Sequence, residues 1–371
     1  MRIGIDARQL CGARTGVGQY LSGLISEWVR STSHESRISS PEPRATSHEF
    51  ILYVHRPVES ATDGLDARKF ATRLVPGSGG TWWEQAQLPR KTKADHLDVF
   101  FAPQYTAPLA LKIPTVVAIH DVSFAAHPEW FRTREGARLR WLARRSAANA
   151  RAVITISEFS RREIVEHLKI PVERVRVIPP GIPERHTTPD GTREARVLFV
   201  GSVFNRRHVV DLVRAFAEIA RAHPDASLDI AGDNRSYPHE DVAAAIAREQ
   251  LGDQIRWHRY VSDEQLRDLY QRARVFAFLS EYEGLGLTPL EALKAGAPAV
   301  LLDTPVARET CGDAALYVEQ GNLPPITYAI ERLLFDGPLR ARLLAAAPDV
   351  LGKYSWPRAG RETLALIEQS A

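Results

Sequence analysis

The sequence predicts an α/β protein built from two doubly wound, Rossmann-like domains facing a central cleft. Short apolar runs alternate with helical patterns through the first half. A stretch rich in Pro, Gly and charge interrupts that rhythm near residue 180, and the same alternation then restarts. A length of 371 residues is also long for one core and natural for two.

Taken in order, "RIGID" (2–6) reads as a strand and "GQYLSGLISEWV" (18–29) as a helix with apolar residues at helical spacing. The Ser- and Pro-rich segment 31–49 reads as a surface loop. "FILYVH" (50–55), "DVFFAP" (98–103), "PTVVAIHD" (114–121) and "AVITIS" (152–157) are continuous apolar runs, the pattern of parallel strands buried on both faces. After the stretch "IPPGIPERHTTPDGTREAR" come strand 197–202, helix 209–222, strand 227–232, helix 264–273, strand 275–280 and helix 289–296. The reading is therefore a first domain over 1–180, a linker over 181–196, a second domain over 197–352 and a C-terminal helical segment over 353–371.

Composition narrows the class of molecule. Hydrophobic residues make up 44% and charged residues 25%, as in an ordinary enzyme. There is no run of 18 or more apolar residues and no signal-peptide pattern, so a cytoplasmic location is expected. Cys11 and Cys311 match no metal-ligand spacing. Residues 1–180 carry 26 Lys/Arg against 18 Asp/Glu, whereas the remainder carries 22 against 27. A basic half can face nucleic acid, anionic lipid or a phosphorylated substrate. No nucleic-acid motif accompanies the charge. The segment 128–152 sets seven arginines among Trp130, Phe131, Leu139, Trp141 and Leu142. It reads either as a basic helix meeting an anionic membrane surface or as a helix packed on the sheet with a charged outer face.

The densest chemistry lies in "EYEGLGLTPLEALKAGAPAV" (281–300). In open α/β sheets ligands sit beyond the carboxyl ends of strands, and this segment follows such a strand. Thr288 reads as the helix N-cap and Pro289 as the first helical residue, which turns free backbone N–H groups and the positive dipole end toward a ligand. Gly284 and Gly286 permit close backbone approach. Glu291, read in the first helical turn, would repel phosphate unless it accepts hydrogen bonds from a ribose, and Glu283 would take hydroxyls of a second sugar. Either glutamate alone also reads as an ordinary solvated or dipole-complementing charge.

Together, the strand, the two glutamates eight positions apart, the glycine pair and Thr-Pro resemble the E-x7-E element of retaining glycosyltransferases of family 4, which have the GT-B fold. "RQLCGARTGVGQYLSGL", "AIHDVSFAAHPEWF", "VITISEFSRREI", "VGSVFNRRHVVDLVRAF", "YVSDEQLRDLYQRA", "CGDAALYV" and "YSWPRAGRETLALI" are similar to the family's successive segments over nearly the whole chain. The resemblance implies donor diphosphate binding by Arg206, Arg207, Gly16, Gly18, Leu287 and Thr288. It implies sugar binding by Glu283, Gly284, Leu285 and Gly286, ribose binding by Glu291 and nucleobase contact at Tyr260 and Val261. His120 would face the transferred sugar, so His120 and Glu283 are the catalytic candidates, and the last helix would cross back to the first domain. Arg207-His208 departs from the family's usual lysine followed by asparagine, and a guanidinium fork does not substitute freely for an ammonium.

The function implied is hexosyl transfer with retention from a nucleotide sugar to a glycan or lipid-linked acceptor. GDP-mannose is the first donor expected, on the likeness of "TGVGQY" and "HDVSF" to mannosyltransferase-type members. A UDP-sugar transferase of the same fold and an inactive nucleotide-sugar-binding scaffold are the alternatives. No metal or other cofactor is expected, since the sequence contains no Asp-x-Asp. A glycosidase also needs two carboxylates, but a helix start between them and paired arginines favour phosphate over water. "TWWEQAQLPR" (81–90) is another family-like segment, and whether Trp82 and Trp83 stack on a sugar or fill the core is left open by the sequence.

Overall fold

A computed structural model describes residues 1–12, 16–35, 48–58, 69–183 and 193–371. Most of the expected loop 31–49, part of the glycine-rich segment and residues 184–192 of the expected linker lie outside the described residues. The chain divides into two compact units. One comprises Met1–Gly181 with Tyr354–Ala371, and the other Ile182–Lys353.

The first unit holds a seven-stranded sheet of β1 (Arg2–Asp6), β2 (Glu49–Val54), β3 (Phe70–Leu74), β4 (Val99–Ala102), β5 (Thr115–Ala118), β6 (Ala152–Thr155) and β7 (Val175–Val177). All pairings are parallel, in the order β3-β2-β1-β4-β5-β6-β7. Helices α1 (Gly16–Glu35), α2 (Leu88–Thr92), α3 (Ser123–Ala126), α4 (Thr133–Asn149) and α5 (Glu158–Leu168) connect them. β4 and β6 are buried at every position, as expected of strands covered on both faces. The expected strand 114–121 is shorter, because His120 and Asp121 leave the ladder beyond Ala118. α4 buries Gly136, Leu142, Ala143, Ser146 and Ala147 and exposes Arg134, Arg138, Arg144 and Arg145, while Arg140 is half-buried and donates to the Phe124 carbonyl at 3.1 Å.

The second unit repeats the plan with β8 (Arg196–Val200), β9 (Ser227–Ala231), β10 (Ile255–His258), β11 (Val275–Phe278), β12 (Ala299–Leu302) and β13 (Ala315–Val318), in the order β10-β9-β8-β11-β12-β13. Around them run α6 (Val209–Ala222), α7 (Val242–Glu249), α8 (Asp263–Arg272), α9 (Leu287–Lys294), α10 (Pro305–Cys311), α11 (Leu323–Phe335), α12 (Gly337–Ala345) and α13 (Ala347–Leu351). α6 buries Val209, Leu212, Val213, Phe216 and Ile219 along one stripe. α8 begins with a reciprocal capping box between Ser262 and Gln265.

α14 (Trp356–Ser370) belongs to the first unit and packs beside α1, where Trp28 Nε1 donates to the Gly360 carbonyl at 2.9 Å. Gly23 of α1 makes room for the Trp356 ring: a Cβ there would lie 2.4 Å from it. Among the described residues no helix is long and apolar enough to cross a membrane.

Candidate active site

In both sheets the chain order reverses between two adjacent central strands, β1 and β4 in the first and β8 and β11 in the second. The carboxyl end of such a reversal is where doubly wound sheets hold ligands. In the second unit two loops meet there. After β8, Gly201 adopts a φ of +146°, and a Cβ on it would come within 2.7 Å of Arg207 Nη1, so the backbone is close against the guanidinium. A tight turn over Asn205–Arg207 follows, and His208 takes a left-handed conformation at the start of α6. After β11 runs the loop Leu279–Gly286, which leads into α9.

The two loops are tied by three contacts. Glu281 donates its backbone N–H to the Arg206 carbonyl at 2.9 Å. The Arg207 guanidinium pairs with Glu283 Oε1, Nε at 2.8 Å and Nη2 at 2.7 Å. His208 Nε2 meets Glu281 Oε1. Arg207 also donates to the Ser202 carbonyl at 2.9 Å, and Ser280 Oγ donates to Glu283 Oε1 at 2.8 Å. The Arg206 guanidinium stacks over Phe204, 4.2 Å from the ring centre, and that of Arg207 lies 5.0 Å from the Phe278 ring. Two cations are thereby placed at one strand end, each against an aromatic face, and Arg207 turns its polar edge to Glu283 and Ser202.

The start of α9 corrects two expectations. Gly286, with φ +92°, is the residue that precedes the helix, and Leu287, Thr288 and Pro289 form its first turn. Thr288 is therefore not the cap. A glycine adopts the left-handed conformation without a Cβ penalty, so the helix begins two residues early, and Pro289 sits where no intrahelical N–H bond is needed. Glu291 is consequently the fifth residue, beyond the first turn, and it is only 5% exposed. Leu285 is buried and its carbonyl accepts from Thr310 Oγ1. Gly284 is buried in the same loop, and Leu287 and Thr288 are half-buried. A small pocket, partly open to solvent, lies beside this loop, lined among others by Ser280, Glu283, Gly286, Pro289 and Thr304.

The remaining predicted residues lie elsewhere. Tyr260 and Val261 follow the edge strand β10, also at the carboxyl edge of the second sheet, and Tyr260 is 83% exposed. Gly16 and Gly18 open α1 in the first unit, and a Cβ on Gly16 would meet nothing within 4 Å. His120 lies past the end of β5, buried, with Nε2 2.8 Å from the Pro103 carbonyl and Tyr20 edge-on at 4.6 Å. A carbonyl at Nε2 places the proton on that nitrogen. Burial lowers the pKa of His120, opposed by the Pro103 carbonyl and the Asp121 charge. Asp121 accepts from the Ser123 N–H at 2.9 Å and from the Tyr105 hydroxyl at 3.0 Å, so it orients this loop.

Sequence reading missed a second charged cluster, at the β1/β4 reversal of the first unit. Arg8 Nη2 lies 2.7 Å from Asp6 Oδ2 and 2.6 Å from Glu84 Oε1, and all three side chains are nearly inaccessible. Thr106 donates to the same Glu84 oxygen at 2.7 Å, and Arg8 Nη1 donates to the Gly79 carbonyl at 3.0 Å. Burial pushes the Asp6 carboxyl above its ordinary range, with Arg8 opposing. The available signals were an Asp-x-Arg closing an apolar strand and a glutamate directly after two tryptophans.

Residues 14–186 match the family model described as Glycosyltransferase Family 4, and residues 184–350 match Glycosyl transferases group 1. Among curated proteins the chain is 24% identical to O-antigen chain mannosyltransferase B of Escherichia coli, covering 72% of this chain and 73% of that one. It is 27% identical to alpha-D-kanosaminyltransferase of Streptomyces kanamyceticus (70% and 71% covered). It is 30% identical to GDP-mannose:cellobiosyl-diphosphopolyprenol alpha-mannosyltransferase of Xanthomonas oryzae pv. oryzae (54% and 52% covered). Among solved structures, Anabaena Alr3699/HepE in complex with UDP and glucose superposes with a TM-score of 0.75 at 16% identity over the full length of both chains. WaaG, a glycosyltransferase involved in lipopolysaccharide biosynthesis, gives 0.73 at 15% identity over 99% of both. With each of its two doubly wound units matched by a glycosyltransferase model, and mannosyltransferases among its relatives, the chain belongs to the family 4-type glycosyltransferases of GT-B fold.

Proposed function

We propose that this chain is a retaining hexosyltransferase that moves mannose from GDP-mannose to a glycan or lipid-linked saccharide acceptor. The observation that carries the reading is the Arg207–Glu283 pair at the β8/β11 reversal, beside the N-terminus of α9. It puts a cation for a diphosphate and a carboxylate for sugar hydroxyls next to one another. The mannosyltransferase relatives support the donor sugar.

In this reading Arg206, Arg207 and the first turn of α9 take the donor diphosphate. Glu283 and the backbone of Gly284, Leu285 and Gly286 take the sugar, Glu291 the ribose, and Tyr260 with Val261 the base. The acceptor hydroxyl oxygen bonds to the anomeric carbon as the bond from that carbon to the diphosphate oxygen breaks. Its proton passes to the departing diphosphate on the same face, which gives retention. The charge that develops on the leaving group is met by fixed guanidinium and peptide dipoles, with no metal required. In the first unit His120, its pKa lowered by burial, can meet a sugar hydroxyl as a neutral ring.

The outer face of α4 carries Arg134, Arg138, Arg144 and Arg145 around Trp141, which is 56% exposed. Arginines ringing an amphipathic indole suit an anionic bilayer surface, and in this reading the enzyme works at the cytoplasmic face of a membrane, in peripheral contact with its lipid. A UDP-sugar donor is the second reading, favoured by the UDP and UDP-glucose complexes among the structural neighbours. The deciding test is thermal-shift screening with GDP, UDP, ADP and their sugar conjugates on wild type and Glu291→Ala. A selective rise with GDP and GDP-mannose that the variant loses is expected. No shift with any nucleotide would overturn the transferase reading, and a nucleotide-sugar-binding scaffold with it.

A further inference from the structure

Trp82 and Trp83 are neighbours with opposite fates. Trp83 is fully buried and donates its indole N–H to the Val75 carbonyl at 2.6 Å, whereas Trp82 is 70% exposed. The segment around them lies over the carboxyl ends of the first sheet. The Gly79 carbonyl takes Arg8 past β1, Gly79 is packed against His55 past β2, and Glu84 takes Thr106 past β4. The turns that follow are fastened residue by residue. Trp83 is held through Val75 and Glu84 through Arg8 and Thr106, while Gln85 donates to the Ala107 carbonyl and accepts from the Leu109 N–H. Trp82 heads this fastened run with its own indole in solvent.

We propose that Trp82 is a stacking platform for a saccharide ring, and that the buried Glu84–Arg8 pair holds it in position. Two features of the site select a saccharide. The site is at the carboxyl rim of a doubly wound sheet, beside its order reversal, where such folds take ligands. The residues leading to the indole are Gly77, Ser78, Gly79, Gly80 and Thr81, small and without a large apolar side chain, so the exposed indole is the one large apolar group of that run. A pyranose presents one apolar C–H face edged by hydroxyls, whereas a peptide or lipid ligand calls for a wider apolar patch. The platform rests on the transferase reading in one respect: that reading gives the donor to the second unit, which leaves a sugar site in the first unit to the acceptor.

Glu84 acts through Trp82 and Arg8 and is a positioning residue. Its carboxylate is the only charged group in Trp83–Gln87, and it joins that segment to the loops after β1 and β4.

The test uses full-length protein with mannotriose, maltotriose and cellotriose as probes, read by saturation-transfer NMR and titration. Wild type is expected to give saturable transfer to pyranose C–H protons of at least one trisaccharide. Trp82→Phe should retain it and Trp82→Ala should weaken binding roughly tenfold or more. Glu84→Gln should weaken binding while circular dichroism shows a folded chain; Trp82→Ala, altering an exposed side chain, keeps the test decisive if Glu84→Gln fails to fold. Equal signals in wild type and Trp82→Ala would overturn the proposal. So would the absence of any signal in protein that gives a nucleotide thermal shift. A Trp82-dependent signal in protein that binds no nucleotide would leave the platform standing and remove the transferase reading instead.

Discussion

Arg207 reaches from the loop after β8 to the loop after β11 and sets two guanidinium nitrogens within 2.8 Å of a single oxygen of Glu283. Both side chains are mostly buried, so each neutralises a charge that would be expensive to leave alone. A donor that presents a diphosphate and a ring of hydroxyls can replace each partner of this pair with one of its own groups. On the proposed reading, the pair holds each partner in place until the ligand's own groups take over.

Arg207→Met should weaken binding of a nucleoside diphosphate by roughly tenfold to a hundredfold, the range of a lost charge-assisted contact. The measurement is the ratio of Kd values for GDP and guanosine in wild type and variant. A selective loss for GDP is expected. An equal loss for both would show that the substitution disturbs the loop rather than a phosphate contact.

Glu283→Gln keeps the shape and removes the charge. It should lower kcat by roughly a hundredfold or more while changing Kd for the free nucleotide little, because the proposed contact is to the sugar. A fall confined to nucleotide affinity would reassign Glu283 to fixing Arg207.

His120 gives a pH signature. Its pKa is lowered in the folded chain by burial. An unfolded histidine titrates near about 6.5, so below that pH the unfolded chain holds more protons than the native one. The stability from a neutral His120 is therefore full above about pH 6.5 and is lost as pH falls toward the folded pKa. Relative to His120→Gln, wild type should lose Tm on acidification from pH 7.5 to 5.5. A wild-type advantage that grows on acidification would mean that His120 is charged in the native state.

How much was legible in the chain depended on burial. "VLFV", "VFAF", "AVIT" and "VFFA" announced themselves because strands covered on both faces must be apolar throughout. β3 "FATRL", β7 "VRV" and β10 "IRWH" lie at sheet edges and mix charge with apolar residues, so they gave no run to recognise. At the site, Arg206, Arg207 and Glu283 could be named from local pattern, but the ion pair between them spans 76 positions and is tertiary. The helix start was misread for a local reason. Thr-Pro resembles a cap, yet Gly286 can take a left-handed turn at little cost and so fixes the boundary earlier. Arg8 and Glu84, also 76 positions apart, gave no signal as a pair until the sheet brought their loops together.

Arg8→Met tests that buried cluster as a matter of stability. It would leave the Asp6 and Glu84 carboxylates facing each other in a site nearly closed to water. The expected cost is about 3–5 kcal/mol, the scale for removing one partner of a buried ion pair. Chemical denaturation reads it directly, and a cost below about 1 kcal/mol would mean that water enters or the carboxylates take up protons without penalty.

The outer face of α4 offers the last prediction. Trp141 lies on that face, and Arg145 sits 6.0 Å from its ring, with Arg134, Arg138 and Arg144 also exposed. A basic side chain near an anionic bilayer contributes on the order of 1 kcal/mol, so reversing Arg144 and Arg145 to glutamate should lower vesicle affinity by well over tenfold. Sedimentation with vesicles containing anionic phosphatidylglycerol, against neutral phosphatidylcholine alone, measures it. Binding should also fall with added salt, since exposed charges are screened within about 8–10 Å at physiological ionic strength. Trp141→Ser should weaken the same binding with little change in its salt dependence, because it removes the apolar anchor and leaves the charges. If neither substitution alters sedimentation, the arginines serve only as the solvated face of a helix packed on the first sheet, and any membrane contact must be made by another surface.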